Sequence, residues 1–166
     1  MFILGGSSGG NLALMAAYTN GVGFAPENKS RSYVLDIKGV SVFAPPVDLA
    51  AAAADLLGES ITVESITDVD ESLQVLLGTK ELDINEAINR LNPAEYVTED
   101  TPPTLIIQGG RDQTISPEHG MILHDALLAK NVKTSLVTYP EATHIEWPME
   151  RLLKDTHDFF QSCIRR

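Results

Sequence analysis

Three residue types that together can carry out acyl transfer are spread along this 166-residue chain: a serine near its start, an aspartate two-thirds of the way along and a histidine near its end. Ser7 stands in Gly5-Gly6-Ser7-Ser8-Gly9, directly after the apolar run Phe2-Ile3-Leu4 and before the helix-prone Asn11-Leu12-Ala13-Leu14-Met15. A serine hydroxyl is a weak nucleophile at neutral pH and needs a base to take its proton, usually a histidine oriented by a buried carboxylate. Asp112 follows the apolar run Thr104–Gln108 within Gly109-Gly110-Arg111-Asp112, and His144 follows Thr134–Tyr139 within Pro140-Glu141-Ala142-Thr143-His144. Asp112 and His144 are 32 residues apart, room for one helix and one strand. Each of the three therefore falls just beyond the end of an apolar, strand-like run.

The turn around Ser7 fits G-x-S-x-G, in which a serine sits on a tight strand-to-helix turn beside the N–H groups of a helix N-terminus. A second register, Gly6-Ser7-Ser8-Gly9-Gly10, would centre on Ser8, but the first glycine should follow the strand directly, which favours Ser7. Glycine-rich turns of this kind also cradle phosphates, yet neither G-x-G-x-x-G nor a P-loop lysine is present. Each candidate has a plainer use. Ser7 fits as a small residue in a tight turn, Asp112 as a turn cap and His144 as an ordinary loop histidine. His119, His124 and His157 fall on helical segments without matching partners and read as solvated or packing residues. Trp147, just past His144, reads either as a wall of the substrate pocket or as packing at the edge of the core. No cluster of histidines or carboxylates has metal-ligand spacing, so no metal or other cofactor is expected.

The elements that must position these residues alternate. Strands are predicted at Phe2–Leu4, Lys38–Ala44, Thr104–Gln108 and Thr134–Tyr139, each closed by glycine or proline. Helices are predicted from Asn11 to about Tyr18, from His119 to Lys130 with Ile122, Leu123, Ala126 and Leu127 inward, and over the final segment. There Met149, Leu152, Leu153, Phe159, Phe160, Cys163 and Ile164 share one stripe, which makes Cys163 buried filler. Strands separated by helices imply parallel crossovers: an α/β fold with a parallel sheet and helices on both faces. Residues 48–92 break the rhythm with further helical patterns (Ala50–Leu57, Glu71–Leu77, and Ile84 to Leu91). This helical insertion reads either as a lid over a site or as packing on the sheet.

Length and a hydrophobic content of 43% suit a single domain with a substantial core. A net charge of −11 argues against nucleic acid or an anionic membrane surface as a partner, and many carboxylates fall between Glu59 and Glu86, as on a solvated face. No apolar run is long enough to span a bilayer, and no targeting segment is visible, so nothing here fixes a compartment beyond a cytoplasmic default. A lone cysteine excludes an intrachain disulfide.

Here a family resemblance becomes specific. Gly5-Gly6-Ser7-Ser8-Gly9-Gly10-Asn11-Leu12-Ala13 is similar to the Gly-Asp-Ser-Ala-Gly-Gly-Asn-Leu-Ala of the hormone-sensitive-lipase-like and acetyl-esterase α/β-hydrolases. Asn92-Pro93 resembles the Ser-Pro segment of that group, Pro102–Asp112 its acid-bearing strand and loop, and Tyr139–His144 its Tyr-Pro…His ending. Prolyl-oligopeptidase-type catalytic domains are related. The resemblance spans nearly the whole chain apart from Glu59–Asp70. It implies an ester hydrolase working through an acyl-enzyme, with Ser7, Asp112 and His144 catalytic, the Ser8 N–H as oxyanion donor, and a small-molecule ester as substrate.

The chain departs from that group at its start. Met1 stands where the Ser7-bearing strand should already be under way, and no His-Gly-Gly oxyanion segment occurs. The expectation is a partial α/β-hydrolase domain over residues 1–166 without its N-terminal strands, completed by an N-terminal half, another polypeptide or self-association. A non-catalytic remnant and a serine peptidase of the prolyl-oligopeptidase type are the alternatives.

Overall fold

A computed structural model describes residues 1–20, 34–52 and 89–164. Four strands, β1 (Phe2–Gly6), β2 (Gly39–Phe43), β3 (Thr104–Gly109) and β4 (Thr134–Tyr139), form one sheet in the order β1-β2-β3-β4, with every neighbouring pair parallel. Parallel neighbours require crossovers, and helices supply them: α1 (Ser8–Tyr18) follows β1, and α2 (Glu118–Ala129) joins β3 to β4. A final helix, α3 (Met149–Ile164), follows β4, and a 3₁₀ turn at Pro93–Tyr96 precedes β3.

Side-chain alternation along the strands explains why the sheet needs cover on both faces. Val40, Val42 and Ile106 point to one side, where they pack with Leu14, Ala17 and Tyr18 of α1 and Leu123 and Leu127 of α2. Leu105, Ile107 and Tyr139 point to the other side, against Leu152 and Phe159 of α3. The central strand β3 is buried from end to end, as a parallel strand covered on both faces must be. Where its neighbours are polar, the buried groups pair with each other: Ser41 with Thr156 at 2.9 Å and Thr104 with Tyr18 at 2.8 Å between hydroxyl oxygens.

The strand positions agree with the predicted ones to within a residue or two, whereas the helix faces differ. Helix α1 begins three residues earlier than predicted, because the Ser7 carbonyl accepts the N–H groups of Gly10 and Asn11 and so starts the helix inside the glycine run. On α2 the buried line runs His119–Leu123–Leu127, while Ile122, predicted inward, is exposed. Ile122 lies about 100° around the helix from Leu123, enough to turn it off the sheet. On α3 the buried line is Leu152–Thr156–Phe159; Met149, Leu153 and Ile164 face outward, and Cys163 is half-buried at the margin of the core rather than inside it. The apolar stripe of α3 thus divides between the core and the surface.

Most of the helical insertion read at 48–92, residues 53–88, lies outside the described residues. Its two ends are described and tied together. Asn92 Oδ1 accepts the Leu49 N–H at 3.0 Å, and the Asn11 amide of α1 donates to the carbonyls of Pro46 at 2.8 Å and Leu91 at 3.1 Å. No helix of the described residues is long and apolar enough to cross a membrane.

Candidate active site

In a parallel sheet every strand ends at the same edge, and loops leaving that edge can converge. Ser7 leaves β1 there, Asp112 leaves β3 and His144 leaves β4. Ser7 Oγ lies 2.8 Å from His144 Nε2, and Asp112 Oδ2 lies 2.9 Å from His144 Nδ1. Both distances are those of ordinary hydrogen bonds. With an anionic Asp112 accepting from Nδ1–H, Nε2 is left as the acceptor facing the serine hydroxyl. The Asp112 side chain is wholly buried, and that of His144 is 16% exposed.

The local backbone explains how Ser7 reaches this position. Its φ and ψ are 52° and −130°, a conformation that non-glycine residues rarely adopt and that costs on the order of 1–3 kcal/mol. Two constraints hold it there: its N–H donates to the Phe43 carbonyl of β2 at 2.9 Å, and its own carbonyl starts α1. The turn closes so tightly that a Cβ on Gly5 would overlap the Gly9 carbonyl oxygen, whereas Gly9 itself has open space around it. Ser8 is exposed as the first residue of α1, and it is the Ser7 Oγ that meets His144.

The acid and base loops are laced together through backbone. Gly110 N–H donates to the Tyr139 carbonyl and Arg111 N–H to the Ala142 carbonyl, both at 2.9 Å. A Cβ on Gly109 would come within 2.7 Å of the Ala142 oxygen and one on Gly110 within 2.8 Å of the Pro140 oxygen, so this approach requires both glycines. Asp112 also performs the plainer task considered for it. Its Oδ1 accepts the N–H groups of Thr114 and Ile115, each at 2.9 Å, while Oδ2 faces the histidine.

Trp147 is half-buried. Its ring meets Phe43 and Tyr139 edge-on, at centroid distances of 5.3 and 6.3 Å, and its indole Nε1–H donates to the His144 carbonyl at 2.8 Å. The hollow it borders, about 580 Å³, is lined by Tyr139–Ala142, Ile145–Met149 and Arg151, without Ser7 or His144. Of the other histidines, His119 is buried and its Nδ1 accepts the Val47 and Asp48 N–H groups at 3.3 and 3.4 Å. Sequence reasoning had no signal for that task beyond the position of His119 on a helix. His124 is half-buried on α2 and His157 exposed on α3. Among the described residues no group of three or more histidine, cysteine or carboxylate side chains could hold a metal ion.

A parallel sheet covered by helices on both faces, with the Ser7 turn between strand and helix, defines an α/β-hydrolase-type fold. Residues 1–127 match the BD-FAE family, and the chain belongs to it. The structure is similar to that of the butyrate-bound esterase Est2 from Thermogutta terrifontis, with a TM-score of 0.68 and 19% identity over 97% of this chain and 55% of that one. It is likewise similar to a truncated form of a carbohydrate esterase from gut microbiota, with a TM-score of 0.66 and 22% identity over 96% of this chain and 58% of that one. A curated relative, dipeptidyl-peptidase 4 of Giardia intestinalis, is 35% identical over 81 residues, 48% of this chain and 11% of the relative. The chain thus spans little more than half the length of those esterases and about a tenth of that peptidase.

Proposed function

We propose that the chain forms the carboxyl-terminal part of a serine hydrolase that cleaves small carboxylic esters through an acyl-enzyme. The observation that carries this reading is the unbroken hydrogen-bonded path from Ser7 Oγ through both nitrogens of His144 to Asp112. In the proposed reaction His144 Nε2 takes the hydroxyl proton as Ser7 Oγ attacks the ester carbonyl carbon. Asp112 keeps the imidazole oriented and stabilises its charged form. The N–H of Ser8, at the head of α1, is the proposed donor to the oxyanion of the tetrahedral intermediate. Collapse breaks the bond to the alcohol oxygen, which leaves with the proton held by His144; water then enters by the same route and releases the acid. Ser7, His144, Asp112 and the Ser8 N–H are this chain's own contributions to the proposed reaction.

A second oxyanion donor is proposed to come from outside this chain, from an N-terminal half of the fold, another polypeptide or a second copy, since the related esterases are nearly twice as long. The 48–92 insertion is proposed to border the substrate, and the whole is taken as one partial hydrolase domain. A serine peptidase is the second reading, favoured by the identity to dipeptidyl-peptidase 4; amide and ester cleavage share the same tetrahedral chemistry.

The test is covalent labelling with a fluorophosphonate, in which an Oγ–P bond forms, fluoride leaves and the proton passes to His144. Ser7→Ala should abolish labelling and Ser8→Ala should leave most of it. Labelling that survives Ser7→Ala would overturn the assignment. Short acyl esters set against aminoacyl anilides then separate esterase from peptidase. If the oxyanion argument holds, supplying an N-terminal half in trans should raise turnover by about a hundredfold or more.

A further inference from the structure

We propose that Trp147 is a positioning residue for His144, and that with Phe43 it sets the separation between Ser7 and the imidazole. The proposal deepens the reading of Ser7 and His144 as nucleophile and base and rests on it. Two loops must meet at the sheet edge, and each is held by one aromatic residue. On the serine side, the Phe43 carbonyl accepts the Ser7 N–H at 2.9 Å, and the Phe43 ring lies against Gly6 so closely that a Cβ there would overlap it. On the histidine side, the Trp147 indole N–H donates to the His144 carbonyl at 2.8 Å.

The two rings touch edge-to-face, with centroids 5.3 Å apart and planes at 67°. Such a contact has a preferred geometry and is worth about 0.5–1.5 kcal/mol beyond the area it buries. A continuous path therefore runs from the Ser7 backbone through Phe43 and Trp147 to the His144 backbone, parallel to the hydrogen bond between their side chains. The need for such a path is local. His144 lies in neither a strand nor a helix; its imidazole bonds to Ser7 and Asp112, while the loop's backbone hydrogen bonds to the rest of the fold run through Tyr139 and Ala142. Tyr139, the last residue of β4, also meets Trp147 edge-on, and its hydroxyl in turn donates to Asp155 of α3 at 2.8 Å. The indole is thus fixed to the rigid part of the fold, and a catalytic geometry displaced by about 1 Å can lose on the order of a hundredfold in rate.

The experiment compares Trp147→Phe, which keeps a ring but removes the N–H donor, with Trp147→Leu, Phe43→Leu and the double variant Trp147→Leu/Phe43→Leu. Two readouts are taken on each folded protein: the low-field proton resonance of the imidazole N–H facing Asp112, assigned by its loss in His144→Gln, and the rate of fluorophosphonate labelling at Ser7. Trp147→Phe should shift or broaden the resonance and slow labelling by about tenfold with little change in melting temperature. Trp147→Leu and Phe43→Leu should slow it further, and the double variant should be no slower than the worse single, because both residues act through one contact. A resonance and a labelling rate unchanged in Trp147→Phe and Trp147→Leu would overturn the proposal, as would single effects that simply multiply in the double variant. A wild-type protein that resists labelling, with a resonance that still depends on Trp147, would refute the nucleophile reading and leave the positioning role standing. Normal labelling indifferent to Trp147 would do the reverse.

Discussion

Asp112 divides its carboxylate between two tasks: Oδ2 lies 2.9 Å from His144 Nδ1, while Oδ1 accepts the backbone N–H groups of Thr114 and Ile115. The same side chain shapes its own loop and orients the imidazole, which makes two substitutions separable. Asp112→Asn can keep an amide oxygen on the two N–H groups but presents an NH₂ to Nδ1, forcing the wrong tautomer. Labelling at Ser7 should fall by about 10³–10⁴ with the melting temperature nearly kept. Asp112→Ala removes both tasks, orphans the loop N–H groups and should also lower stability by about 1–3 kcal/mol. Calorimetry and labelling on the two variants check this.

The glycines of the Ser7 turn should differ sharply. Gly5→Ala forces a Cβ into the Gly9 backbone, which cannot move aside as a side chain could, and should destabilise the protein by about 1–3 kcal/mol or more. Gly9→Ala meets nothing within 4 Å and lies in the first turn of α1, so it should be neutral or stabilise by up to about 1 kcal/mol. Urea unfolding of the pair decides it, and equal destabilisation would refute the packing argument.

Asn11 ties α1 to the chain just before the 48–92 segment and to its far end through the Pro46 and Leu91 carbonyls. Asn11→Ala leaves two acceptors without this donor and should cost about 1–3 kcal/mol. Asn11→Asp should be no better, because an ionised carboxylate has no donor to offer. Denaturation midpoints check the stability loss, and faster amide exchange at Leu49 would report loosening of the adjoining segment.

Alkaline pH should destabilise the fold through two tyrosines. Burial holds the Tyr18 phenol well above its ordinary range, only partly offset by its hydrogen bond with Thr104. Burial does the same for Tyr139, reinforced by its hydrogen bond to Asp155 and by that carboxylate's charge. The unfolded chain therefore releases these protons at lower pH than the folded one. Stability is fully present below the ordinary tyrosine range and declines as pH rises through about 10. Urea midpoints at about pH 8 and about pH 11 should show the drop, and Tyr18→Phe should make it shallower.

Local composition is enough to locate where the chain runs extended and where it turns. Apolar runs bounded by Gly and Pro are local signals, and they located four strands and the loops bearing Ser7, Asp112 and His144. Strand–helix alternation was enough to imply a parallel sheet, because parallel neighbours need crossovers. Which side of each helix is buried follows from packing rather than from local pattern. Ile122 and Leu153 lie on apolar stripes, yet both are exposed beside the buried lines of their helices, because the stripe records hydrophobicity rather than which residues meet the partner surface. The burial of His119 against the loop after β2 likewise depends on a contact 72 residues away in sequence. Trp147 shows the difference most plainly. Its neighbour His144 made it a candidate for a pocket wall, whereas its edge-to-face contact with Phe43 exists only once β2 and β4 end at one edge. A contact between residues distant along the chain is a property of the packed sheet, and no local pattern in either segment encodes it.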